Sequence, residues 1–295
     1  MKLKTIIKNI IYYLKLILVL GKVRITSFVA ISTALGYVLV SGKIDGGIIL
    51  PILGVFLLAC GSSAFNQYQE YLPDSLMRRT MNRPIPSAKL TPARGFMIAS
   101  VMSLSGAVLL FAAGNIILLL LGVFALLWYN LVYTPLKKKT SLAVIPGALI
   151  GAIPPVIGWS AGGGELTNPQ VWALGLFFFI WQIPHFWLLL LIYEDDYRRA
   201  GFPPLTDIIS RQNLTRITYV WIASLTASCM LIPLFGLSDN LLSNIVLFVA
   251  GCWLMWSTRT LLKQFEHKNI IRFAFMNVNL YVLAVAVVLS IDKLL

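Results

Sequence analysis

The sequence predicts an all-α integral membrane protein with nine transmembrane helices. Of its 295 residues 58% are hydrophobic and 12% charged, with a mean hydropathy of +0.83. A soluble domain carries roughly twice that charge. The apolar residues gather into nine continuous runs, and the basic residues fall on alternate connections between them. Disorder, collagen-like repeats and a disulfide scaffold are excluded by the same composition. Cys60, Cys229 and Cys252 lie inside apolar runs without CxxC or Cys/His spacing, so they read as packing residues.

A bilayer core takes about 20 residues of helix. The runs cover approximately 23 to 41, 47 to 69, 94 to 113, 115 to 134, 142 to 162, 170 to 193, 214 to 236, 240 to 261 and 272 to 291. They lack the period-two alternation of a barrel strand, which leaves helices. Residues 1–22 form a separate segment ahead of the 23–295 membrane domain. Leu3, Ile6, Ile7, Ile10, Ile11, Leu14, Ile17 and Leu18 follow helical spacing, with Lys8, Lys15 and Lys22 on the other side. That pattern predicts an amphipathic helix in the membrane interface. A cleaved signal is disfavoured, because lysines continue through the apolar part and no small-residue cleavage site follows.

All of the 24 Lys and Arg residues except Lys43 and Lys293 fall on one side of this topology. The positive-inside rule makes that side cytoplasmic, with the N-terminus inside and the C-terminus outside. The net charge of +13 is therefore topogenic and calls for no nucleic acid. Seven of the 11 acidic residues share that side: Glu70, Asp74, Glu194, Asp195, Asp196, Asp207 and Glu266. Topology does not require acids there, and a carboxylate near hydrocarbon costs on the order of 3 kcal/mol unless it meets water or a counter-ion.

At the inner end of the second run, Asn66, Glu70 and Asp74 are spaced by four, so a helix stacks them on one face. Pro73 is expected to bend or end that helix. Arg78, Arg79 and Arg83 follow. After the sixth run the pattern returns as Glu194, Asp195 and Asp196, then Arg198 and Arg199 and two prolines. Two acidic clusters among basic residues suit a polyanion bound through Mg²⁺, which takes one or two carboxylates together with phosphate oxygens. Lys137, Lys138 and Lys139 on the fourth connection can be purely topogenic. Their position beside the acids makes Lys137 and Lys138 phosphate-contact candidates. Pro154 and Pro155 in the fifth run and Pro184 in the sixth free backbone carbonyls within the membrane. His185, an intramembrane histidine between Pro184 and aromatic residues, is a functional candidate.

Five ordered blocks then carry a resemblance. They are the N-x-x-x-[DE]-x-x-x-D-x-x-M-x-R-T-x-x-R-P stretch from Asn66 to Pro84, YT-x-L-K from Tyr133, PPVIGW from Pro154, PHFW from Pro184 and DDY-x-x-AG-x-P from Asp195. The chain resembles the UbiA superfamily of membrane prenyltransferases over essentially all nine runs, most closely its haem-farnesylating branch. The resemblance implies a nine-helix bundle around a central cavity, with Mg²⁺ and farnesyl diphosphate at the acidic motifs and haem B as acceptor. Asn66, Glu70, Asp74, Asp195 and Asp196 are the implied metal-binding set. Arg79, Arg83, Lys137, Lys138, Tyr133 and Arg199 are the implied diphosphate contacts. His185 is implied near the haem, and Trp159, Phe186 or Trp187 near the developing carbocation. A plasma-membrane location follows, with association with haem A synthase or terminal-oxidase assembly. The competing readings are a prenyltransferase acting on an aromatic or quinone precursor and a non-catalytic haem or isoprenoid transporter. A transporter is expected to show polar features toward both sides.

Overall fold

The computed structural model describes residues 2–295. Twelve helical segments follow in order: α1 (Lys2–Leu20), α2 (Val23–Ser41), α3 (Ile49–Gln69), α4 (Tyr71–Leu76), α5 (Pro92–Ala112), α6 (Ile116–Leu127), α7 (Thr134–Leu136), α8 (Val144–Ala161), α9 (Pro169–Arg199), α10 (Arg211–Leu234), α11 (Leu241–Thr258) and α12 (Lys268–Leu294). Among the described residues, nine helical stretches are long and apolar enough to cross a membrane, so the chain is a multi-pass membrane protein. They match the nine predicted runs to within a few residues, except at the end of the sixth. There α9 continues to Arg199, about a turn and a half beyond the predicted limit of 193, and carries the second acidic motif with it.

Short polar residues set several helix starts. Thr91, Asn115, Asn168, Ser210 and Asn240 each accept a backbone N–H of the first turn through the side chain, and Pro92 and Pro169 open their helices. Each polar cap sits just ahead of its apolar run, so the cap and the membrane boundary coincide.

The helices pack with little aid from the hydrophobic effect, since lipid is as apolar as a core, and small residues let backbones approach. A Cβ at Gly158 of α8 would stand 1.8 Å from the Thr33 carbonyl oxygen of α2, and one at Gly36 would stand 2.0 Å from the Pro155 oxygen. Gly158→Leu is therefore expected to cost more than about 3 kcal/mol, because the obstacle is backbone and cannot swing away. Gly175→Ala meets only a Val156 methyl at 3.7 Å and is expected to be neutral. Thermal unfolding of the two solubilised variants measures the difference; equal melting temperatures would count against this close contact.

α8 runs unbroken through Pro154 and Pro155. The main core joins α2, α8, α9, α10, α11 and α12, with Phe177, Leu188, Leu225 and Tyr281 among its fully enclosed side chains. α1 is helical and leaves Ile6, Ile7, Ile10, Ile11, Leu14 and Leu18 exposed. It buries Leu16 and Leu20 against Ala64, Ile85, Leu90 and Ala99.

Candidate active site

The site forms where α3 ends. The helix stops at Gln69, and Glu70 takes a non-helical conformation (φ −123°, ψ 16°) before α4 begins. The break falls at Glu70 rather than at Pro73, as had been expected. Pro73 lies in the first turn of α4, where a missing N–H forfeits no intrahelical bond. Asp74 N–H still donates to the Glu70 carbonyl at 2.8 Å, so Asn66, Glu70 and Asp74 remain one buried column.

Every member of the column meets a cation or a donor. Asn66 Nδ2 donates to Glu70 Oε2 (2.8 Å) and to Thr134 Oγ1 (3.2 Å). Lys137 Nζ donates to Glu70 Oε2 at 2.6 Å, and Arg83 Nη1 to Asp74 Oδ2 at 2.7 Å. Lys22 Nζ donates to Asn66 Oδ1 at 3.1 Å. Lys22, Arg83 and Lys137 thus surround two carboxylates, an excess of positive charge poised for an anion.

Burial, Arg83 and Lys137 push the Lys22 ammonium well below the usual lysine range, against the pull of Asp74 and Glu70. Burial is the largest single influence on Lys137 and opposes its charge, but the Glu70 carboxylate together with Tyr133, Tyr129 and Tyr197 outweighs it and raises the pKa. Glu70 is thus the chief of several groups that keep this half-buried lysine charged.

The second motif reaches this region through one residue. α9 kinks at Tyr193 (φ −114°, ψ 22°), and beyond the kink Asp196 is buried and accepts the backbone N–H groups of Arg78 (3.2 Å) and Arg79 (3.1 Å). Arg199 lies 3.4 Å from Asp196, and the Arg79 guanidinium stacks over the Tyr193 ring at 4.9 Å. Asp195 does not join the cluster. It is exposed and pairs with Lys268 at 2.9 Å, because consecutive helical residues project about 100° apart. Glu194 is held by Arg211 (2.7 Å), Arg198 (3.0 Å) and Thr206 (2.6 Å), which ties the following loop to α10. Lys138 sits at the rim and donates to the Gln69 carbonyl at the end of α3.

Among the described residues, no three His, Cys, Asp or Glu side chains form a metal cage. Mg²⁺ does not need one, since it retains waters and completes its shell with phosphate oxygens. Glu70 Oε1 is buried with no hydrogen-bond partner. That orphaned oxygen, with the Asp74 carboxylate a turn away, fits a cation delivered together with a phosphorylated ligand.

A row of rings leads from the charges into the membrane. A π-helical turn, Trp128–Tyr133, precedes α7, and such turns recur at functional sites. It puts the Tyr129 and Tyr133 rings 5.5 Å apart, with Lys137 Nζ 5.5 Å from the Tyr133 centroid. Tyr133 meets Phe186 (6.1 Å), Phe186 meets His185 (5.4 Å), and His185 meets Trp181 (5.2 Å) and Phe275 (4.9 Å). Of the three residues expected near a carbocation, only Phe186 borders this row. Trp159 bonds the Glu165 carbonyl at the opposite end of α8, and Trp187 packs on Trp221 in the core.

A cavity of about 500 Å³ opens beside the charged cluster between Leu72, Pro73, Lys138, Gly201 and Phe202. Another, of about 530 Å³, lies at the far end of the bundle around Trp159, Glu165 and Gln170, away from the acidic motifs.

Lys22 joins the site although helical spacing alone does not predict it there. It had been assigned to the polar face of the first helix, but it lies in the left-handed region (φ 51°, ψ 45°) between α1 and α2 and turns inward. A lysine directly after Gly21, where two helices must separate, was the available signal. Thr134 and Tyr129 were likewise unassigned.

The UbiA prenyltransferase family matches residues 29–280. A protoheme IX farnesyltransferase of Geobacter sulfurreducens is 42% identical over 220 residues, covering 75% of this chain and 81% of that protein. One from Oleidesulfovibrio alaskensis is 35% identical, covering 93% and 95%. Among solved structures, a digeranylgeranylglyceryl phosphate synthase superposes with a TM-score of 0.76 at 17% identity, covering 95% of this chain and 98% of that one. A UbiA homologue from Archaeoglobus fulgidus, bound to DMAPP and Mg²⁺, gives 0.70 at 14% identity over 93% and 99%. With nine spans, an acidic column ringed by cations and a family match over most of its length, the chain belongs to the UbiA prenyltransferase family.

Proposed function

We propose that the protein transfers the farnesyl group of farnesyl diphosphate to a vinyl group of haem B, releasing diphosphate at the basic end of the bundle. The C1–O bond of the farnesyl donor breaks and the vinyl carbon bonds to C1. Water adds to the resulting cation and a proton leaves, giving a hydroxyethylfarnesyl substituent. The observation that carries the reading is the buried Asn66, Glu70 and Asp74 column among Lys22, Arg83 and Lys137, with Glu70 Oε1 unpartnered. The names of the 32–42% identical relatives supply the choice of donor and acceptor.

Bound Mg²⁺ would supply Lewis-acid neutralisation of the diphosphate oxygens, held by Glu70, Asp74, Asn66 and, across the site, Asp196. Arg83, Lys22 and Lys137 stabilise the charge gathering on the departing group, and Arg79 closes over it from the 78–83 loop. Tyr133, Tyr129 and Phe186 keep water from the farnesyl end and offer π faces to positive charge. The basic end is cytoplasmic in this reading, the membrane is the plasma membrane, and contact with haem A synthase or terminal-oxidase assembly would place the product near its consumers.

The test is incubation of the purified chain with farnesyl diphosphate, haem B and Mg²⁺, followed by pigment extraction. A more hydrophobic haem and stoichiometric diphosphate are expected. Unchanged haem together with prenylation of an aromatic acid would move the protein to another branch of the family. Diphosphate affinity is expected to fall as pH rises through the depressed pKa of Lys22, since only its charged form attracts the anion. Lys22→Arg should shift that fall to higher pH, and an unaltered pH profile would remove Lys22 from the binding site.

A further inference from the structure

His185 of α9 faces α12, where its Nδ1 lies 2.8 Å from Asn279 Oδ1. Asn279 Nδ2 in turn donates to the backbone carbonyl of Phe275 at 2.6 Å. A backbone carbonyl only accepts, so the Asn279 atom facing it must be the amide nitrogen, and the atom facing His185 must be the carbonyl oxygen. That oxygen cannot donate. His185 therefore carries its proton on Nδ1, and the lone pair is left on Nε2. Nε2 makes no hydrogen bond among the described residues, and the half-buried ring is flanked by Trp181, Phe186 and Phe275.

We propose that Asn279 is a positioning residue that fixes this tautomer, so that His185 Nε2 becomes the axial ligand of the acceptor's haem iron. The inference rests on the haem-farnesylating reading above and says how the acceptor is held. A neutral imidazole whose second nitrogen donates to an oxygen is the ordinary form of an iron-binding histidine. The surrounding rings supply flat apolar surface for a porphyrin. The row from Tyr133 through Phe186 to His185 joins this position to the diphosphate end, so an iron anchored here brings the porphyrin edge toward the farnesyl chain.

The test uses the full solubilised chain with ferric haem B and no prenyl diphosphate. The unsubstituted protein is expected to give an imidazole-ligated absorption spectrum and to bind haem B at least tenfold more tightly than metal-free protoporphyrin IX. His185→Gly should lose that spectrum and regain it on addition of imidazole. Asn279→Leu should weaken haem binding by about tenfold to a hundredfold and alter the spectrum. Equal affinity for the metal-free porphyrin, or an unchanged spectrum in His185→Gly, would overturn the ligand assignment; unchanged haem affinity in Asn279→Leu would overturn the positioning role. Farnesyl transfer assayed separately distinguishes the failures. Transfer to haem without iron ligation sinks this proposal alone, whereas absence of transfer with ligation intact sinks the reaction.

Discussion

Glu70→Gln is expected to lower kcat/KM for farnesyl transfer by about a hundredfold to a thousandfold, the range seen when one preorganised electrostatic group is removed. The carboxylate serves two neighbours at one oxygen, Asn66 at 2.8 Å and Lys137 at 2.6 Å, and leaves the other oxygen buried and unpaired. A glutamine matches its shape but not its charge. If the amide oxygen accepts from Asn66 and Lys137, the amide nitrogen occupies the position suited to a cation. If it flips, its hydrogens confront an ammonium. The lysine loses the carboxylate that contributes most to keeping it charged in a half-buried place. The Mg²⁺ concentration giving half-maximal rate should rise together with the loss. Asp195→Asn, which removes an exposed ion pair, is expected to stay within about fivefold of the parent, since such pairs contribute about 0 to 1 kcal/mol. Steady-state rates over a Mg²⁺ titration measure both, and a Glu70→Gln enzyme with ordinary Mg²⁺ dependence would take Glu70 out of the metal-binding set.

Asp196→Asn should also be damaging, by a different route. The carboxylate receives two backbone N–H groups from the basic loop, one on each oxygen. An asparagine can accept only one of them, and its NH₂ group meets the other donor, leaving a poorly satisfied polar group at a cost of about 1 to 3 kcal/mol. The expected result is a lower melting temperature and weaker binding of farnesyl diphosphate, because Arg79 and Arg83 lie on the loosened loop. Adding the diphosphate should recover part of the lost melting temperature. A variant with the parent's melting temperature and diphosphate affinity would show that the loop holds its shape without Asp196.

The nine spans were legible because a bilayer demands long uninterrupted apolar runs, and the pairing of Asn66 with Glu70 was legible because helical spacing is local. The rest lay in contacts without a local pattern. Lys22 meets Asn66 across 44 residues, and no spacing rule links a lysine ahead of one helix to the end of the next. Asp195 and Asp196 look equivalent in sequence; which one turns inward depends on the rotation of α9 beyond Tyr193, fixed by packing. Trp159 and Phe186 were candidates of equal standing until the bundle put them at opposite ends. Asn279 became meaningful only when α12 was seen to lie against α9.

The bond from Asp196 to the loop at Arg78 spans 118 residues and four intervening membrane crossings. During synthesis the arginine loop is therefore released from the insertion machinery long before its clasp exists. A nascent chain halted after the fourth or fifth crossing would have both the acids and the bases of the first motif, yet nothing to lock their loop in place. Competence for the prenyl donor should thus arrive late in biogenesis, as the sixth crossing settles into the lipid.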